Sequence, residues 1–534
     1  MNRFVSILRS PDSVFFQTEG MPSAGVKANE ALQTGGCNVS FAQKENIMQI
    51  TAEPSPTPLQ RIKLRWCEDF SFLKYILQDA WCVSCGDLSW NPMRPEAALP
   101  WYFIGFDGKR THGYGVRTGC NAFCFWQVDT MGLSLWIDVR NGGDGVILKE
   151  PLLCAEICQR EGVDGESAFT ACQHFCSKMC PNPNLPTRPI FGLNNWYYAY
   201  GNISRESVLQ DTSLCCELAA DCRQQPYMLI DDGWERERTN EYNGGPFVPS
   251  EKMGDMRTLA ERIAQMGAIP GIWVRPMLTA ETLHEECFHP ANTGCGHGRF
   301  LDITNHDALE YIRKMITAMV CNGYQLIKYD FTCPDFMGKD FLSHRLSENG
   351  WHFADRSQTN AQILKNLYRV IQDAAGDACV IGCNTYNHLA AGIHQIQRSG
   401  SDTSGRVWEI TRKCGINTLA FRLYQNDRFF RTDADCPAFT DKVSTELNMR
   451  FLELACKSGA AIFASITPGL LSKNYLTRAR AAFAQADVPC GIEPLDWQYT
   501  SCPTQYKAGG EILSYDWYTP KNGVTMFYTW SVEE

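Results

Sequence analysis

Beyond residue 185 the chain alternates short apolar runs with longer amphipathic stretches, the pattern of repeated strand–helix units that build a parallel sheet. Eight such runs begin at Phe191, Tyr227, Ala268, Gln325, Cys379, His394, Asp427 and Ala460. Between them, segments such as 308–320 and 359–371 repeat apolar residues at helical spacing. Eight units in this order predict an α/β fold, a (β/α)8 TIM barrel over residues 186–490. Upstream, segments rich in Trp, Phe, Val and Thr are separated by Asp-Gly and Asn-Gly-Gly turns, as at 101–108 and 133–143, which predicts an antiparallel β-sandwich over residues 1–185. The proline-rich stretch 181–189 can neither continue a helix nor sit in a central strand, so it marks the boundary. Segments 509–517 and 523–530 read as strands of a small C-terminal sheet within 491–534.

Composition narrows the function. The 534 residues are too many for one ordinary core. A net charge of −10 with no run of Lys or Arg argues against nucleic acid as a partner. No apolar stretch approaches the roughly 20 residues of a membrane span, and the N-terminal apolar run is cut short by Arg9, Ser10 and Pro11 before it could serve as a signal peptide. A cytoplasmic protein without a membrane partner is therefore expected. The 25 cysteines lie in apolar contexts and read as reduced thiols packed as small hydrophobes. Aromatics make up 12% of the chain, including 14 Trp whose flat faces suit the apolar face of a sugar.

The ends of the predicted strands carry the chemistry. They hold Asp231 and Asp232, Lys328 and Asp330, Ser401 and Asp402, and Asp433 and Asp435. One such Asp reads equally as a helix cap. Four acidic ends at one barrel mouth repel each other unless they serve a site. Two carboxylates about 5–5.5 Å apart, one ionised and one protonated, are what a retaining glycosidase needs. Lys328 lies two residues before Asp330 on the same strand face and would hold it ionised as the nucleophile. Asp402, four residues after Arg398, would then be the acid, its pKa raised by burial or by the charge of Asp330. The run Trp196-Tyr197-Tyr198, at the end of the first strand, reads as pocket wall or as packing. His284, Cys287, His289, Cys295 and His297 crowd one loop, but their spacing matches no zinc pattern, so neither a metal nor an organic cofactor is expected. The Cys82–Cys85 spacing resembles a redox dithiol, yet it falls in the predicted sandwich and reads as packing or surface.

These motifs, in their order, resemble the α-galactosidase clan of glycoside hydrolases, clan D, and most closely family 36. That family carries Leu-Asp-Asp-Gly-Trp, Gly-Leu-Trp, Lys-Trp-Asp and Ser-Asp motifs, and this chain offers Leu229 to Trp234, Gly271 to Trp273, Lys328 to Asp330, and Ser401–Asp402. Gly298–Arg299 resembles the family's Gly-Arg segment before strand four, and the likeness covers roughly residues 188–490. The resemblance implies an α-galactosidase or α-N-acetylgalactosaminidase with Asp330 as nucleophile and Asp402 as acid/base. It further implies that Asp231 and Asp232 take the sugar's 4- and 6-hydroxyls, that Trp273 shapes the wall, and that Arg299 and Lys328 bind near O3 and O4. Cys383, Trp196 and Arg398 complete the expected substrate contacts. Two departures stand out: Arg275 replaces a usual Glu, and the segment from Gly382 to Asn387 replaces a glycine-rich loop that faces the sugar's 2-position. The expected function is a retaining α-glycoside hydrolase acting on terminal α-galactosyl-type residues of an oligosaccharide or glycoconjugate. The alternatives are a glycosidase for a C2 or C6 variant, a transglycosylase, a non-catalytic sugar-binding barrel, and a metal-dependent hydrolase built on the His284–His297 loop. Homo-oligomerisation is left open.

Overall fold

The computed structural model describes residues 4–20, 24–27, 37–291, 293–337 and 350–518. It is a mixed α/β structure with a curled nine-stranded parallel sheet and several antiparallel sheets. The parallel strands are β1 (Phe191–Asn194), β2 (Tyr227–Ile230), β3 (Ile269–Val274), β4 (Leu326–Tyr329), β5 (Cys379–Gly382), β6 (Ile396–Arg398), β7 (Arg431–Asp433), β8 (Ala438–Phe439) and β9 (Ile462–Ile466). Their spatial order is β7-β6-β5-β4-β3-β2-β1-β9-β8, and an isolated parallel bridge between Asp433 and Ala461 brings β7 to the start of β9. All eight apolar runs seen in the sequence contribute a strand. The two-residue β8, between Asp435 and the helix Thr445–Ser458, was not foreseen.

Strand alternation explains why these runs are apolar throughout. Successive side chains point to opposite faces, so Tyr227 and Leu229 join Ile269, Leu326, Ile381, Ile396, Ala461 and Phe463 in one buried cluster. Met228 and Ile230 fall instead in the larger core, together with Leu259 and Ile263 of the helix Met256–Met266. Both faces are covered, as in parallel sheets generally. The helices His306–Cys321 and Asn360–Ala375 form where the helical spacing predicted them, each started by a side-chain cap, Asn305 and Thr359 respectively.

Upstream, a six-stranded and a seven-stranded antiparallel sheet share the large core, with Phe103 of one ring-to-ring with Trp126 of the other at 6.3 Å. This region reaches into the parallel sheet. Ser84 bridges Gly400, its N–H donating to the Ser399 carbonyl at 3.1 Å while Ser401 N–H donates back to the Ser84 carbonyl at 2.7 Å. Asp79 pairs with the fully buried Arg422 at 2.9 Å. Downstream, Ile492–Pro494, Gln505–Ala508 and Glu511–Ser514 form a three-stranded antiparallel sheet. Trp497 packs edge-on to Trp90. The second strand expected there, 523–530, lies outside the described residues. Among the described residues no helix is long and apolar enough to cross a membrane.

Candidate active site

The C-terminal ends of β1 to β6 surround a small pocket open to solvent. Asp231, Asp232, Lys328, Asp330, Arg398 and Asp402 line it with Trp196 and Trp273.

Asp330 follows the last residue of β4. Its Oδ1 accepts from the Phe331 backbone N–H at 2.6 Å and from Asn384 Nδ2 at 2.8 Å, while its Oδ2 accepts from the Trp273 indole at 3.1 Å. Three donors from three segments fix the carboxylate plane before any substrate arrives. Phe331 and Asn384 both hold left-handed backbone, φ 62° and 48°, the kind of local conformation that functional sites retain. The Asn384 carbonyl also accepts from Cys333 N–H at 2.9 Å, tying the loop after β5 to the helix that follows β4.

Lys328 has a different partner from the one its spacing suggested. Its Nζ donates to Asp231 Oδ2 at 2.7 Å across the β2–β4 ends, with both groups buried. Burial is the largest influence and works against the ammonium, but the Asp231 charge, with Cys383 and Asp330 close by, together outweighs it and holds Lys328 well above its usual pKa. Asp231 also accepts from Asn194 Nδ2 at 2.5 Å. Asp232 accepts from Arg238 Nε at 3.2 Å and Asn243 Nδ2 at 3.1 Å. Glu235, buried behind it, is pushed well above the carboxylate range by burial and by the Asp232 charge, so Glu235 keeps its proton. Gly233 is required for this turn. It sits at φ 116°, and a Cβ there would meet the Gly201 backbone at 2.4 Å. Trp234 then locks β2 to β3, its indole donating to the Trp273 carbonyl at 2.9 Å.

Asp402 is the exposed member of the set. Its side chain is 62% exposed and its Oδ1 accepts from the buried Arg398 guanidinium at 2.6 Å. The burial that the sequence reading invoked for this carboxyl is therefore absent. Arg398, by contrast, is almost wholly buried and spans Asp402 and Asp435.

Two expected contacts lie elsewhere. Arg299 is not among the pocket-lining residues. It forms a bidentate pair with Glu285 at 2.6 and 2.9 Å and stacks on Phe288 at 4.0 Å. The reason is strand pairing: Arg299 and Phe300 pair with Thr279 and Leu278 in a small antiparallel sheet. Cys383 is buried and does not line the pocket; its neighbour Asn384 does. Tyr197, read with Trp196 as wall or packing, lines the pocket, whereas Asn384 and Phe331 were missed as lining residues. Asn384 stood two residues past the end of β5 and was reachable by the strand-end rule that found the others. Arg275, the other departure, grips Asp335 through two bonds of 2.6 and 2.9 Å, donates to Asn243 Oδ1 at 2.6 Å and lies 4.2 Å from the Phe331 ring. Among the described residues no group of three or more His, Cys, Asp and Glu is arranged to hold a metal. His289 packs at a tilt against Trp351, and His297 against Tyr242.

The sequence matches no known family profile. Solved structures do match the fold. TtGalA, an alpha-galactosidase from Thermus thermophilus solved with p-nitrophenyl alpha-D-galactopyranoside, superposes with a TM-score of 0.60 at 17% identity, over 94% of this chain and 97% of that one. The chain has the fold of the GH36 α-galactosidases. The GH36 alpha-galactosidase AgaA from Geobacillus stearothermophilus matches with a TM-score of 0.57 at 15% identity, over 84% of this chain and 67% of its own. An alpha-galactosidase from Lactobacillus brevis gives 0.60 at 12%, over 86% and 67%. At such identities the GH36 likeness is one of fold, and the pocket has to argue the chemistry.

Proposed function

We propose that this chain is a retaining α-glycoside hydrolase that releases terminal α-galactosyl-type residues through a covalent glycosyl-enzyme. Its working unit in this reading is a (β/α)8 barrel over 186–490, between an N-terminal sandwich and a small C-terminal sheet. The observation that carries the proposal is the pairing of Asp330, held by three donors, with Asp402, open to solvent, in one pocket at the ends of β4 and β6.

Asp330 attacks the anomeric carbon as the bond to the leaving oxygen breaks, and that oxygen takes the proton of Asp402. Asp402, now a carboxylate, removes a proton from water, whose oxygen displaces Asp330 from the anomeric carbon. An exposed position suits Asp402 for meeting first the leaving group and then water. Asp231 and Asp232 supply acceptors for sugar hydroxyls, and the Lys328 ammonium beside Asp231 supplies donors. Charged hydrogen bonds of this kind discriminate strongly against an inverted hydroxyl. This supports an axial 4-hydroxyl, and TtGalA was itself solved with an aryl α-galactoside.

A series of 4-nitrophenyl α-glycosides differing at C2, C4 and C6 tests the assignment. The α-galactoside is expected to exceed the α-glucoside in kcat/KM by roughly 100-fold or more. Equal turnover of the two, or turnover of neither, would overturn it. The 2-acetamido member of the series reads out the contribution of the loop carrying Cys383 and Asn384.

A further inference from the structure

Asp435 is an acidic strand end that the proposed chemistry leaves unused. It does not line the pocket, is 3% exposed, and holds left-handed backbone at φ 72°. Its contacts all lead toward the pocket. Oδ1 pairs with Arg398 Nη1 at 3.0 Å, and the other arm of that guanidinium grips Asp402 at 2.6 Å. Oδ2 accepts from the Thr403 backbone N–H at 2.7 Å and from the Thr403 hydroxyl at 3.0 Å, so it holds the residue directly after Asp402. The phenol of Tyr197, a pocket-lining residue after β1, also donates to Oδ2. Asp435 is itself held by its N–H, which donates to Asp433 Oδ1 at 2.8 Å.

We propose that Asp435 is a positioning residue for the proton donor, fixing Asp402 from both sides through Arg398 and Thr403. This rests on the reading of Asp402 as acid/base. Asp402 is on a loop with an exposed side chain, so packing does not aim it. The buried Asp435 does, by seating both the Arg398 guanidinium that contacts Asp402 and the peptide that follows Asp402. Tyr197 extends the same anchor to the pocket wall on the opposite side of β9.

A residue that aims the proton donor matters in proportion to how badly the leaving group needs a proton. A 4-nitrophenolate departs with little help, whereas a methoxide does not. The test compares kcat/KM for 4-nitrophenyl and methyl α-galactoside in wild type, Asp435→Asn and Asp402→Asn. For Asp435→Asn we expect a loss of roughly 100-fold or more on the methyl glycoside and no more than about tenfold on the aryl one, the direction shown more strongly by Asp402→Asn. Equal losses on both substrates would overturn the assignment and leave Asp435 as packing. If Asp435→Asn does not fold, Thr403→Val, which removes one of the same hydrogen bonds, must show the same leaving-group bias, and its absence would also overturn the proposal. Failure of the wild type on both substrates would instead defeat the glycosidase reading on which the proposal rests.

Discussion

Asp330→Ala is expected to lower kcat for an aryl α-galactoside by roughly 10,000-fold or more, without loss of fold. The size follows from the role: removing a nucleophile deletes the covalent path, leaving only binding and the remaining polar groups. Fold should survive because Asp330 gives the protein little in the resting state. Its carboxylate is buried, its direct partners are neutral donors from Trp273, Asn384 and Phe331, and the nearby ammonium is committed to Asp231. Sites arranged in this way trade stability for function, and their removal is often neutral or stabilising. Steady-state kinetics beside a thermal melt checks both halves. Added azide should restore turnover in the alanine variant, attacking the anomeric carbon from the vacated side to give the β-galactosyl azide. Activity within tenfold of wild type would remove Asp330 from the mechanism.

Lys328→Met should be damaging in a different way, because it breaks a buried ion pair by removing one partner. The Asp231 carboxylate is then left at 3% exposure with Asn194 as its chief side-chain donor. Such orphaned charges cost about 3–5 kcal/mol. The chemical denaturation midpoint is expected to fall accordingly, and kcat/KM for an α-galactoside by about 100-fold or more as the pocket loses a charged donor. The double variant Asp231→Asn with Lys328→Met separates the two effects. It removes the orphaned charge and should regain most of the stability while remaining inactive. A double variant no more stable than Lys328→Met would show that the pair is not what holds these strand ends together.

Much of this site was legible in the chain because the rule that places it is simple. Apolar runs covered on both faces must be parallel strands, and polar residues at their C-terminal ends must meet at one mouth. Asp231, Asp232, Lys328, Asp330 and Asp402 were found in that way and line one pocket, whereas Asp433 and Asp435, found by the same rule, do not line it. Spacing along a strand fixes which face a side chain takes, not which neighbouring strand supplies its partner. Lys328 was therefore assigned to Asp330 on its own strand, whereas Asp231 on β2 holds it. Loop residues were less legible for a related reason. Arg299 belongs to a small antiparallel sheet whose pairing is non-local, and it is drawn to Glu285 and Phe288. Asn384 reaches Asp330 through a left-handed backbone that a departure from the family pattern did not reveal. The exposure of Asp402 depends on how its loop is held, by Ser84 from the upstream region and by Asp435 from β7, both remote in sequence.

The stereochemistry of the first product tests the central claim most directly. With Asp330 as nucleophile and Asp402 as acid/base, two displacements at the anomeric carbon must leave its configuration unchanged. Proton NMR of 4-nitrophenyl α-galactoside hydrolysis, followed from the first turnovers, should show α-galactose forming first and β-galactose appearing only by mutarotation. β-Galactose as the first product would contradict the account, because a single displacement by water needs no nucleophile on β4.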